Sequence, residues 1–586
     1  MWLHKIIGSS AKNPFMVFIM IFLLTLGGLW GMKNVPLDAI PDLSDVQVII
    51  FTKWSGQSPN IVEDQVTYPI VSSLLGAPKV KAVRGISMFG LSFVYVIFEE
   101  GTDIYWARSR VLEYMAEARS RLPESVSPTL GPDATGVGWG FEYAIVRDEE
   151  KISRLRQDVA DGKLKESQLN RILDNLSPEK LRSYQDWHLN FMLKSVNGVS
   201  EVASVGGYVK QYQVTLKPGA LLQYKVAIPQ IIRAIRESSG EVGGRVVEFN
   251  GKEYMVRGRG YVTSKEDLEM IVIRSEKDGA PLLLKQLARV SLGPDIRRGL
   301  ADLDGQGEVV AGIVIVRFGE DVLSVIERVK ERIKEIEAQN SLPQGAKIVP
   351  VYDRSELIHR AIDTLVWKLL EESLIVSLVC FIFLFHFRSA LVAIITLPLA
   401  IIMSFLVVHW IGISSNIMSL GGIAIAIGAM VDSAIVMVEN AHKHLEHAPP
   451  GSDRSTVIIE AAKEVGRPLF FALLIITVSF LPIFALEGQS GKLFKPLAYT
   501  KTFAMFFASF LSVTLVPVLM LLLIKGKIQP EEKNPVNRGL TYIFNPIARF
   551  TIHYRKQTIL AAAGIMVLTI LFFSLRFEPQ LTLPSP

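Results

Sequence analysis

Two carboxylates stand inside an otherwise apolar run, Gly428-Ala429-Met430-Val431-Asp432-Ser433-Ala434-Ile435-Val436-Met437-Val438-Glu439-Asn440. At mid-membrane an ionised carboxylate costs at least about 2.5 kcal/mol, so such a residue has either a partner or a task. Asp432 and Glu439 are seven positions apart, close to two helical turns, and so share a face. Glu439 lies near the end of the run and can reach water; Asp432 is deeper. Asp432 suits a proton carrier, because desolvation favours a neutral carboxyl and an approaching cation favours the charged one. A carboxylate satisfied by a neighbouring helix is the structural alternative.

Methionine is the second signal. Met430 and Met437 are also seven apart, and lie about 200° round the helix from Asp432 at about 100° per residue. The carboxylate and thioether stripes thus point to nearly opposite faces. One suits a proton path. The other suits a path for a soft ion such as Cu(I), because thioether sulfur prefers soft cations and takes up no proton. Met418 on the same run, with Met505 and Met520 on a later one, extends the stripe. Methionine also fills gaps in apolar packing, which is the alternative reading.

Other candidates read more plainly. Glu371 and Glu372 lie at the outer end of an apolar run and suit interfacial anchoring, and His386 and Arg388 mark its inner end. His442, His444 and His447 cluster beside Pro449 and Pro450, without the carboxylate or cysteine set that a metal site needs. The single cysteine, Cys380, excludes an intramolecular disulfide and reads as a small buried hydrophobe. No GxxxxGK[ST] loop cradles a phosphate, and no HExxH or nucleophile elbow is present. A membrane carboxylate without a nucleotide site points to transport driven by an ion gradient rather than to an enzyme.

These residues need a bilayer around them, and the composition supplies the reason to expect one. Charged residues make up 20% of the chain and hydrophobic ones 49%, whereas a soluble domain carries about 25% charged residues. The net charge of +5 gives no reason to invoke nucleic acid. Apolar runs long enough for spanning helices fall at 14–32, 366–387, 389–412, 416–440, 468–487, 499–524 and 558–577. The first is too long for a signal-peptide core and lacks a small-residue cleavage site before Pro36 and Pro41. With residues 1–13 in the cytoplasm, alternation places Arg388, the loop from His442 to Arg467 and the basic segment 525–557 on the same side. The large polar region 33–365 then falls on the outer side, with spans 366–524 and 558–577 and a tail 578–586 behind it.

Within that region Val46–Thr52, Pro59–Leu75, Lys79–Gly85, Leu91–Glu99 and Asp103–Leu122 alternate as strand, helix, strand, strand and helix. This is the split βαβ plan. Val309–Arg317, Asp321–Gln339 and Lys347–Tyr352 give a second strand-helix-strand signal, which suggests an internal duplication. Strands around Gly206 and Gly207, a helix at Pro229–Ser238 and strands at Gly251–Tyr261 and Met270–Arg274 fill the interval. The charged stretch Glu149–Tyr184 reads as a solvated helical insertion.

The run Pro36-Leu37-Asp38-Ala39-Ile40-Pro41-Asp42-Leu43-Ser44-Asp45-Val46-Gln47-Val48 resembles the start of the periplasmic domain in heavy-metal efflux pumps of the resistance-nodulation-division (RND) superfamily. So do Val66-Thr67-Tyr68-Pro69, Tyr105-Trp106-Ala107-Arg108-Ser109-Arg110-Val111 and Gly131-Pro132-Asp133-Ala134-Thr135-Gly136. Asn416 to Lys443 is similar to the copper/silver branch, whereas the zinc/cobalt/nickel branch carries a further carboxylate where this chain has Ala426-Ile427-Gly428. The resemblance covers nearly the whole chain up to about Arg576.

It implies an α-helical integral membrane protein of about seven transmembrane helices, with a large α+β periplasmic domain of ferredoxin-like porter subdomains. Residues 36–133 would form the first porter subdomain, 134–208 with 298–360 the second, and 209–297 a docking subdomain between them. The implied protein is a homotrimeric inner-membrane pump, working with a periplasmic adaptor protein and an outer-membrane channel. Asp432 matches the family's proton-relay aspartate, and Met418, Met430, Met437, Met505 and Met520 match methionines proposed to pass Cu(I) or Ag(I). No resident cofactor is implied; the metal is cargo.

Family members are roughly twice this long, with twelve spans in two related halves, a design common among transporters. A second half would bring the acidic and lysine partners of Asp432 and the periplasmic methionine cluster. The chain is therefore expected to be a fragment that is inactive alone, a half-transporter with a separate partner, or a scaffold that binds adaptor without transporting.

Overall fold

The computed structural model describes residues 2–38, 40–258, 260–275, 279–297, 299–384, 386–449, 451–526 and 534–576. The tail 578–586, Lys527 and Lys533 of the basic segment, and the side chain of Cys380 lie outside the described residues. The chain divides into two units, residues 1–43 with 357–586, and residues 44–356.

The chain starts in the first unit with helices α1 (Trp2–Lys12) and α2 (Pro14–Asn34). α1 is amphipathic: Leu3, Ile7, Ser10 and Ala11 are buried, while His4, Lys5 and Lys12 face outward. That pattern suits a helix lying in the membrane interface.

The second unit holds two small sheets of one design. In the first, β1 (Gln47–Lys53), α3 (Pro59–Val62), α4 (Tyr68–Leu74), β2 (Val80–Met88), β3 (Leu91–Phe98), α5 (Ile104–Ala118) and β4 (Thr129–Leu130) give the strand order β2-β3-β1-β4. In the second, β5 (Trp139–Arg147) is followed by α6 (Glu149–Ala160), α7 (Glu166–Asn175), α8 (Pro178–Tyr184) and α9 (Asn190–Lys194), then by β6 (Val199–Val205). Between β6 and the last strands lies a subdomain of β7 (Lys210–Leu216), α10 (Pro218–Tyr224), α11 (Ile228–Ser238), β8 (Val242–Phe249), β9 (Lys252–Gly258), α12 (Lys265–Glu269), β10 (Val272–Ser275), β11 (Pro281–Leu283), α13 (Leu284–Leu287) and β12 (Ala288–Pro294). The second sheet then resumes with β13 (Val310–Val316), α14 (Val322–Ala338) and β14 (Ala346–Asp353), in the order β14-β5-β13-β6.

Counted within each repeat, both sheets run fourth-first-third-second, and every pairing is antiparallel. In both, the first helical segment is interrupted by a π-helical turn, Glu63–Thr67 and Gln185–Leu189. The two repeats thus share a strand order and a rare turn, in keeping with the duplication that sequence suggests. Of the charged stretch Glu149–Tyr184, α6 and α7 each have one inward anchor, Ile152 or Leu169, whereas α8 buries Leu181 and runs into the repeat's own π-helical turn.

The chain re-enters the first unit through α15 (Arg354–Leu384) and continues as α16 (Phe387–Ile411), α17 (Ile417–Glu446), α18 (Arg454–Val478), α19 (Gly488–Leu523), α20 (Pro535–His553) and α21 (Arg555–Arg576). Among the described residues six helices are long and apolar enough to cross a membrane: Pro14–Asn34, Arg388–Ile411, Ile417–Glu446, Arg454–Ala485, Gly488–Leu523 and Arg555–Phe573. The sequence reading expects a further span at 366–387. α15 is a helix over the first part of that span, and Phe385 near its inner end lies outside the described residues.

The membrane core forms where α16, α17, α18 and α19 meet, with α1 and α2 against them. Glycines set the closest approaches. A Cβ on Gly28 of α2 would overlap the Ile402 carbonyl of α16, and one on Gly422 of α17 would overlap the Leu497 carbonyl of α19. In lipid, small residues let helix backbones pack this closely.

Candidate functional site

α17 positions the candidate residues. Asn416 caps it, its side chain accepting from the Ser419 N–H at 3.1 Å. Ser419, Gly422, Ile423, Ala426, Met430, Ala434, Met437 and Ala441 are buried against the bundle. The opposite stripe, Ile417, Ile425, Gly428, Asp432 and Val436, is exposed. Ile425 is 51% exposed, and a Cβ on Gly421 or Gly428 would meet nothing. The sequence expectation of two faces therefore holds as geometry: thioethers point inward and the aspartate outward.

Asp432 has no hydrogen-bond or ion-pair partner among the described residues, although it lies mid-way along a spanning helix. A carboxylate cannot face hydrocarbon at that depth without large cost, and in membranes such residues face protein or water. The stripe is therefore expected to meet protein or water rather than lipid. Glu439 is different. It pairs with Lys443 at 2.6 Å, one turn on, and is half-exposed. The structure does not join it to Asp432 through any contact.

Four of the five methionines enter one buried cluster. Met437, Met505 and Met520 are fully buried and Met430 nearly so, on α17 and α19 within the core those helices share with α1, α2, α16 and α18. Met418 stands half-buried near the start of α17, outside that cluster. Met403 of α16 is fully buried in the same cluster and was not singled out from sequence, because nothing in its spacing relates it to the α17 stripe.

The three clustered histidines separate. His444 Nε2 reaches Glu464 at 2.6 Å, His447 Nδ1 reaches the Lys443 carbonyl at 2.9 Å, and His442 turns inward to Ser389 at 2.8 Å. No group of three or more His, Cys, Asp or Glu residues suited to a metal ion occurs among the described residues. Lys501, also unremarked from sequence, is 6% exposed in α19, with its ammonium 3.1 Å from the Phe480 ring centroid.

Known proteins resemble the chain over nearly its whole length. The cation efflux system protein CusA of Escherichia coli strain K12 is 50% identical over 575 residues, which is 97% of this chain and 52% of the relative. The cation efflux system protein SilA of Salmonella typhimurium is 50% identical over 566 residues, 95% of this chain and 52% of the relative. The chain thus spans about half the length of the curated relatives it matches. A crystal structure of a heavy metal efflux pump superposes with a TM-score of 0.80 at 28% identity, over 97% of this chain and 52% of that one. The sequence model of the AcrB/AcrD/AcrF family matches residues 6–584, so the chain belongs to that family, in its heavy-metal efflux RND branch.

Proposed function

We propose that the chain is one half of an inner-membrane exporter that moves Cu(I) or Ag(I) out of the cell against incoming protons, and that it works only when further spans cover the outer face of α17. The observation that carries this is the unpartnered, outward-facing Asp432 on a stripe of Ile417, Ile425, Gly428 and Val436. Covering helices would exclude lipid, supply the partner of Asp432 and close the proton path. The soft-metal cargo is supported by the buried thioethers of Met430, Met437, Met505 and Met520, which offer sulfur without competing protons.

A periplasmic adaptor and an outer-membrane channel complete the proposed route, and a homotrimer is the proposed assembly. β8 and β9 favour self-association. They form a two-stranded ribbon paired with no other strand among the described residues, with Phe249 71% and Met255 80% exposed. An isolated ribbon is marginal in water, and exposed apolar residues of this size mark a contact surface.

The test is copper and silver tolerance in a pump-deleted bacterium that expresses the chain with adaptor and channel, with and without a supplied C-terminal half. Tolerance is expected only with the added half, and lost in Asp432→Asn. No tolerance in any combination, despite membrane insertion, would leave a scaffold or an inert fragment.

A further inference from the structure

At the cytoplasmic ends of the membrane helices three protonatable groups meet in series. His386 caps α16, Ser389 lies one turn inside it, and His442 comes from the last turns of α17. His386 Nδ1 and His442 Nε2 each lie 2.8 Å from Ser389 Oγ. On its other side His386 Nε2 lies 3.0 Å from the Lys525 carbonyl, just past α19. Ser389 is 1% and His442 6% exposed.

The partners determine the direction of every bond. A carbonyl only accepts, so His386 Nε2–H donates to Lys525. His386 Nδ1 is then bare and accepts the Ser389 hydroxyl proton, and Ser389 Oγ in turn accepts from His442 Nε2–H. A hydroxyl between two imidazoles is both donor and acceptor, the arrangement that lets a proton hop without moving a heavy atom. The other charged groups around it are Arg388 beside Ser389, Arg454 at the start of α18 and Lys525. On α17 itself Lys443 is engaged by Glu439, and His444 by Glu464. No carboxylate touches either imidazole among the described residues, so nothing there holds an imidazolium in place.

We propose that His442, Ser389 and His386 form a proton relay from the interior of the helix bundle to the cytoplasmic surface. When a proton joins His442 Nδ1, the Nε2 proton passes to Ser389 Oγ, the Ser389 proton passes to His386 Nδ1, and the His386 Nε2 proton leaves to water. One proton enters and one leaves; the two bonds through Ser389 reverse, the bond to the Lys525 carbonyl is lost, and the His442 ring must also turn before the next proton. The Lys525 carbonyl then faces a bare nitrogen, so the His386 ring resets by breaking that contact and taking a new orientation. The relay rests on the reading of the chain as proton-coupled and supplies its last step, about 15 Å along α17 from Asp432 at about 1.5 Å per residue.

The test is the exchange with water of the buried His442 Nε2–H, followed by NMR on the whole chain in lipid nanodiscs with 15N-labelled histidine. A relay makes Ser389 the exchange route, so Ser389→Ala should slow exchange at least tenfold and Ser389→Thr, which keeps the hydroxyl, should restore it. A purely structural hydrogen bond gives the reverse, because removing a protecting partner speeds exchange. Unchanged or faster exchange in Ser389→Ala, or a His386 tautomer protonated at Nδ1 in the resting chain, would overturn the relay. The readout needs no metal flux. A chain that shows the relay yet moves no metal with a supplied second half would count against the transport reading alone.

Discussion

On α17 the residue at 432 and the residue at 437 differ less in depth than in what surrounds them. Met437 is packed on all sides, with its methyl 3.4 Å from where a Cβ on Gly466 of α18 would stand. Replacing it by leucine keeps volume and apolarity, so stability should fall by under about 1.5 kcal/mol. Silver tolerance of the complemented chain should nevertheless drop, since the sulfur is gone; unchanged tolerance would assign Met437 to packing. Asp267 makes a prediction about pH in the second unit. Hydrogen bonds from the Thr263 N–H and hydroxyl, and then from Ser264, hold its carboxyl down to about 2. An unfolded aspartate titrates near 3.9, so this depressed pKa stabilises the fold fully above about pH 4 and the contribution fades as pH falls through 2. Hydrogen exchange at the Thr263 and Ser264 amides should rise over that window, and Asp267→Asn should remove the dependence.

The elements were legible to different degrees. The strand-helix alternation of the first repeat was readable because β1 alternates inward and outward residues, β3 is a short run rich in aromatic and β-branched residues, and Pro59 opens a helix. β5 was missed, although Phe141, Tyr143 and Ile145 alternate there with Glu142 and Ala144 in a central strand. The π-helical turns have no composition signal and appear only as geometry. Tyr143 also shows how closely the second sheet is built. Its ring fills the space over Gly312, where any Cβ would overlap it, and its hydroxyl donates to the fully buried Gln185 at 2.9 Å. Burial pushes the Tyr143 phenol well above its usual range, so it stays a neutral donor. Tyr143→Phe should cost about 1–3 kcal/mol by leaving the Gln185 carbonyl unpaired, measured by denaturant unfolding of the purified chain. Gly312→Ala should be at least as damaging, because a Cβ there would overlap the Tyr143 ring and a sheet interior tolerates overpacking poorly, at about 1–3 kcal/mol. Within the membrane Gly28→Val should separate α2 from α16, read as loss of insertion or protease resistance.

For the molecule as a whole, the membrane core is well packed on its inner side and open on the stripe that holds Asp432. Sequence periodicity separated the two faces correctly, because a 3.6-residue repeat is visible in any helix. Which face meets protein and which meets lipid was not readable, since both are largely apolar and lipid tails are as apolar as leucine. The ribbon of β8 and β9 was half-seen for a related reason: Glu248, Lys252 and Glu253 mask its exposed apolar residues in composition. Phe249→Ser with Met255→Ser should leave the second unit folded while reducing the trimer fraction in native mass measurement; an unchanged fraction would place the subunit contact elsewhere.

The most direct measurement is Ag(I) flux into proteoliposomes under an imposed pH gradient, for the chain alone and for the chain with a supplied C-terminal half. Flux that requires the second half, follows the gradient and falls to background in Asp432→Asn is the predicted result. Flux from the chain alone, or flux that ignores both the gradient and the Asp432 substitution, would contradict it.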